Sequence, residues 1–103
     1  MKVSTGQTIN EVVASLDPQN NNPIVPTTFT SSVYYNGVEL SGASVIFTIL
    51  DTSKGLYNAA WTTGDQYGDY QMYAKNDNTN VVYISDVFET IPGGGLTTVY
   101  VGI

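Results

Sequence analysis

Histidine, cysteine and arginine are all missing from the 103 residues of this chain. Histidine is the side chain that titrates near neutral pH, cysteine the soft metal ligand and thiol nucleophile, and arginine the bidentate anion clamp. Their absence excludes most general-base, thiol and phosphate-clamping chemistry, and leaves no disulfide framework. Positive charge is nearly missing too. Lys2, Lys54 and Lys75 stand against nine acids, for a net charge of −6. A nucleic-acid backbone or an anionic membrane surface needs several cations on one face, so neither is a partner. No apolar run reaches the roughly 18 residues of a membrane-spanning helix. Met1–Gln7 leads into no apolar signal segment, so the chain reads as one that begins at Met1 and is never cleaved.

What is present points to a shape rather than a reaction. Apolar residues make up 42% of the chain, with eight Tyr, three Phe and one Trp. That is enough for one modest core and argues against disorder, which is charge-rich and aromatic-poor. Charged residues are only 12%, about half the usual share. The polar surface must therefore be built from Thr, Ser, Asn, Gln and Tyr hydroxyls, which suits protein contacts. Every acid reads as a turn or exposed-strand residue, so no catalytic residue is assigned. Asp65 and Asp69, with Asn58, have the chemistry for Ca²⁺, but no Asp-x-Asp-x-Asp-Gly loop exists. No metal and no cofactor are expected.

The chain divides by texture. Residues 1–26 hold no aromatic residue and end in the breaker stretch Asp17-Pro18-Gln19-Asn20-Asn21-Asn22-Pro23, closing at Pro26. They read as an N-terminal arm and linker, and residues 27–103 as the folded domain. Within the arm Ile9, Val12, Val13 and Leu16 fall at i, i+3, i+4 and i+7, one face of a short helix. Thr8 and Glu11 form a capping box for it, and Asp17-Pro18 a stop. That stripe could pack on its own domain or insert into a neighbouring subunit; a strand through Glu11–Leu16 is the third option, because Val12 and Val13 are β-branched.

From Thr27 the pattern is period two. Phe29, Ser31, Val33 and Tyr35 share a face, and Asn36-Gly37 is a hairpin turn signal leading into a short strand at Val38–Leu40. Ala43–Leu50 reads as a central, buried strand. Further strands are expected at Leu56–Thr62, around Tyr70–Ala74, through Val81–Phe88 with Val82, Ile84 and Phe88 on one face, and at Thr97–Ile103. Ile91-Pro92-Gly93-Gly94-Gly95 is a flexible loop. Turns recur every 8–12 residues with no crossover helix, the spacing of an antiparallel β-sandwich of about seven strands.

The run Val33-Tyr34-Tyr35-Asn36-Gly37-Val38-Glu39-Leu40-Ser41-Gly42-Ala43-Ser44-Val45-Ile46-Phe47 resembles the opening of immunoglobulin-like and carboxypeptidase-regulatory-like (transthyretin-like) β-sandwich modules. Thr63-Gly64-Asp65-Gln66-Tyr67-Gly68-Asp69-Tyr70 is similar to their mid-domain turn, and Thr97–Ile103 to their final strand. The resemblance implies a non-catalytic spacer or binding platform in a virion or cell-surface protein. A single copy behind a short arm fits a small virion component: a capsid decoration, turret, fibre or tail subunit at the virion surface. Its partners would then be other structural subunits, either further copies or a capsid or tail protein. The partner-binding candidates are Ile9, Val12, Val13 and Leu16 of the arm, and Tyr34, Tyr73 and Tyr100 on outer faces. The alternative is an extracellular glycan-binding module that stacks sugar rings on Tyr57, Trp61 and Tyr67.

Overall fold

Ten strands and no helix make up the computed structural model, which describes residues 1–91 and, as backbone only, residues 98–102. They are β1 (Lys2–Val3), β2 (Thr8–Ala14), β3 (Phe29–Tyr35), β4 (Val38–Glu39), β5 (Ile46–Asp51), β6 (Leu56–Thr62), β7 (Gly68–Asn76), β8 (Val82–Ile84), β9 (Phe88–Thr90) and β10 (Thr98–Gly102). One sheet has the order β1-β9-β7-β3-β4, with β8 also paired to β7; the other has the order β10-β2-β6-β5. The all-β sandwich expected from the sequence is the architecture that forms. The expected loop at Pro92–Gly95 lies outside the described residues.

The sheets are mixed rather than wholly antiparallel, because β1 lies parallel to β9 and β2 parallel to β10. Parallel neighbours need a long connection. Here most of the chain supplies it, since the N-terminal strands sit beside the C-terminal ones.

That pairing overturns the division at residue 26. Residues 1–26 are neither an arm nor a helix. β2 pairs with β6 along its whole length and with β10 on its other edge, which makes it an inner strand. Gln7, Ile9, Glu11, Val13 and Ser15 are all buried, a strict period of two. A two-turn helix is marginal alone, whereas a strand with partners on both sides satisfies its backbone and buries its apolar face. The breaker stretch closes a tight loop: Leu16 bridges Pro23, Asn21 N–H donates to the Asp17 carbonyl, and Ser15 N–H donates to the Gly55 carbonyl at 2.7 Å.

The core lies between the sheets and holds Val3, Ile9, Val33, Ala59, Trp61, Tyr70, Met72, Ala74 and Phe88. Trp61 meets Phe88 edge-on at 5.6 Å, and Phe29 stacks on Phe47 at 4.4 Å at the margin. Each fully buried large side chain contributes about 1.5–3 kcal/mol.

Two further expectations change. The strand at Ala43–Leu50 is not central: β5 is the outer edge of its sheet, with Ile46, Ile49 and Leu50 exposed and Phe47 half-buried. The strand at Val81–Phe88 is two strands, β8 and β9. Ser85 breaks it, its hydroxyl accepting the Met72 N–H at 2.8 Å while its own N–H donates to the Met72 carbonyl. The break puts Val82 and Ile84 on the outside and Phe88 in the core. The Asn36-Gly37 turn forms as expected, with φ of 48° and 82° and Tyr35 paired to Val38 across it. Both residues adopt the positive φ that this turn requires.

Candidate interaction surfaces

Alternation in β2, β5 and β6 sends one set of side chains to the core and the other to the outer face of the four-stranded sheet. The outward set on β2 is Thr8, Asn10, Val12 and Ala14. On β6 it is Leu56, Asn58, Ala60 and Thr62. On β5 it is Ile46 and Thr48 and, where the bulge sets two residues opposite Leu56, Leu50 and Asp51. Of these only Asp51, at the end of its strand, carries a charge. Asn58 donates from Nδ2 to Asn10 Oδ1 at 3.0 Å, so even the amides are tied across the strands. Lys54 stands in the turn just beyond Asp51. Asp51 Oδ1 accepts from Ser53 Oγ, and that bond holds its carboxyl below the usual range.

The outer face of the other sheet is charged. Lys2 sits beside Glu89, which is also in register with Asp69 on β7. Lys75 lies farther along β7, and Glu39 faces Tyr34 from β4. Tyr34 and Tyr73 are brought together here. With Gln71, Met72 and Ile84 they line an open groove of about 240 Å³.

Of the other predicted partner-binding residues, Ile9 and Val13 are buried in the domain's own core, so they cannot meet a partner. Val12 lies on the outer face and Leu16 is half-buried at the Pro23 bridge. The register sets Tyr100 beside Asn10, and its side chain lies outside the described residues. The sugar-stacking platform does not form. Tyr57 and Trp61 point inward and are buried, because they share the core-facing register of β6, and only Tyr67 of the three is exposed. Asn58 and Asp69 lie on different sheets, so that oxygen cluster is not assembled either. Among the described residues no three His, Cys, Asp or Glu side chains gather as metal ligands.

Glu11 is the residue that sequence reasoning missed. It is fully buried on the inner face of β2, where Trp61 Nε1 donates to its Oε1 at 2.9 Å. Its Oε2 has no partner among the described residues, and neither has the side-chain amide of Gln7. Burial pushes the Glu11 pKa from 4.5 up to about 7; the Trp61 hydrogen bond opposes that rise and the charge of Asp86 adds to it. The available signal was parity. Glu11 occupies the same alternating register as Ile9 and Val13, which a helix reading hides.

No protein-family model matches the chain, and no curated protein matches it. Among solved structures it is similar to titin M4 in a trigonal crystal form, at 20% sequence identity and a TM-score of 0.41, over 88% of this chain and 85% of that one.

Proposed function

We propose that the chain is a non-catalytic structural module of a multi-subunit surface assembly, a virion decoration, turret, fibre or tail component. It is held there through the outer face of its four-stranded sheet. One observation carries the reading: a chain with a net charge of −6 leaves a single charged residue, Asp51 at a strand end, on one whole sheet face, with Ile46 and Leu50 of that face exposed. A face with one charge, at its rim, forms contacts with little desolvation cost, which suits a permanent neighbour.

Attachment through residues 1–26 is no part of the proposal, because β1 and β2 belong to the sheets. The test is to isolate particles from the native source by density gradient and measure the chain in them by mass spectrometry. The chain should co-migrate at a fixed stoichiometry. A tagged chain carrying Ala60→Glu should fold normally yet stay out of the particles. Recovery of the chain only as free protein, or normal incorporation of Ala60→Glu, would contradict the proposal.

A further inference from the structure

We infer that Asn36 is a self-modification site: attack by the Gly37 backbone nitrogen converts its side-chain amide to a carboxylate, and the closed β3–β4 turn withholds that reaction until it opens.

The sequence supplies the reactants. Asn36 is the only asparagine in the chain followed by glycine, whose backbone nitrogen has no Cβ beside it to shield an approach. Both residues are exposed at the tip of the turn, and a Cβ on Gly37 would meet nothing within 4 Å. The Gly37 nitrogen gives its proton to solvent and bonds to Asn36 Cγ. The Cγ–Nδ2 bond breaks, ammonia leaves with a proton from water, and a succinimide ring remains. Water then opens the ring. Opening at Cγ gives aspartate; opening at the backbone carbonyl gives isoaspartate, whose main chain is longer by one methylene. The net change is amide and water to carboxylate and ammonium, with no oxidant or reductant.

The fold restrains the first step in two ways. Asn36 and Gly37 have φ of 48° and 82°. Those values belong to a type I′ turn, in which the first central residue has ψ of about +30°. That ψ turns the Gly37 nitrogen to the side of the Cα–C bond opposite Cβ, out of reach of Cγ. The side chain is also tethered elsewhere. Asp69 N–H donates to Asn36 Oδ1 at 2.9 Å, and Asn36 N–H donates to the Asp69 carbonyl at 2.8 Å. Gly68 leaves room for this contact, since a Cβ there would stand 2.8 Å from Asn36 Oδ1 and 2.6 Å from the Tyr35 ring. Attack therefore requires the turn to open. Once made, isoaspartate cannot restore it, because the lengthened loop no longer matches the pairing of Tyr35 with Val38. Either product adds a carboxylate beside Asp69.

Incubation of the full chain at mildly alkaline pH, with peptide mapping by mass spectrometry, tests this. In buffer Asn36 should convert about tenfold or more slowly than in guanidinium chloride, because attack waits on local opening. In the denaturant it should convert faster than any other asparagine, and Gly37→Ala, which shields the nucleophile, should slow it. Gly68→Ala pushes the amide off Asp69 and should raise the rate in buffer severalfold, with circular dichroism to verify its fold. If that variant does not fold, the parent's ratio of rates in buffer and denaturant decides alone. Equal rates in the two solutions, or a folded Gly68→Ala that converts like the parent, overturn the gate. An Asn36 that persists in denaturant, is outpaced there by another asparagine, or reacts unslowed in Gly37→Ala overturns the site.

Discussion

The two sheets share one core and differ on their outer faces. The strands β1, β4, β7 and β9 carry Lys2, Glu39, Asp69, Lys75 and Glu89, all pointing outward. In the four-stranded sheet the strands hold only Glu11, which points inward, and Asp51 at a strand end. A charged face stays hydrated and resists lasting contact; an uncharged one with exposed aliphatic side chains does not. Outside the turns and loops, and apart from buried Glu11, the strand charges gather on the outer face of the six-stranded sheet, and the four-stranded sheet's outer face has Asp51 alone.

The sharpest way to break this comparison is to move a charge by one residue along β2. Val13→Asp puts an unpaired carboxylate in the core and should abolish folding, at a cost of several kcal/mol. Val12→Asp puts the same group on the outer face and should change stability by less than about 1 kcal/mol. Chemical denaturation of the two variants checks it, and similar stabilities would mean that β2 is not an inner strand.

Next in size is a pair of phenylalanines. Phe88→Ala removes a ring with no exposure from the charged sheet's inner face and should cost about 3–5 kcal/mol. Phe47→Ala, on the edge strand β5, should cost roughly half as much, because that ring is already partly in water. Equal losses would return β5 to the sheet interior.

The inward acid gives a pH dependence with a definite sign. The folded-state pKa of Glu11 lies above its unfolded value, so the folded state holds the proton more tightly. The contribution of this group should be fully present below about pH 4.5 and lost as pH rises through about 7. The loss from this group is at most roughly 3 kcal/mol. Urea midpoints across that range should show the slope, and Glu11→Gln should flatten it. A parent that gains stability over the same interval would show that Glu11 is solvated.

The smallest effects separate the turns of the two sheets. Gly37 has φ of 82° with open space beside it, so Gly37→Ala should cost only backbone strain, about 1 kcal/mol. Gly55 has φ of 65°, and a Cβ there would collide with the Ser15 carbonyl oxygen, so Gly55→Ala should cost more. Equal melting temperatures for the two variants would loosen the contact of the β5–β6 turn with Ser15.

Much of the fold was legible in the sequence because alternation and turn residues are local signals. Asn36-Gly37 and the two-residue periods of β3, β6 and β7 needed no tertiary information. The N-terminal segment was misread because Ile9, Val12, Val13 and Leu16 satisfy a helical spacing while Ile9 and Val13 also satisfy a strand's. Only the edge offered by β6 decides between them. Ala43–Leu50 reads as a buried strand because an uncharged apolar run looks the same in sequence at a sheet's centre and at its edge. The interaction surface was therefore the least legible part. Alternation alone sends Tyr34 and Tyr73 outward, but the nearly uncharged face emerges only once the registers of β2, β5 and β6 align their neutral positions.

The central claim is that the bare sheet face, not the charged one, is where this chain is held. Hydroxyl-radical footprinting of the chain, free and in its native assembly, reads that side chain by side chain. The account predicts that Ile46, Leu50 and Leu56 lose their reactivity on assembly while Tyr34, Tyr73 and Ile84 keep theirs. Protection of the Tyr34, Tyr73 and Ile84 groove, with the four-stranded face unchanged, would contradict it.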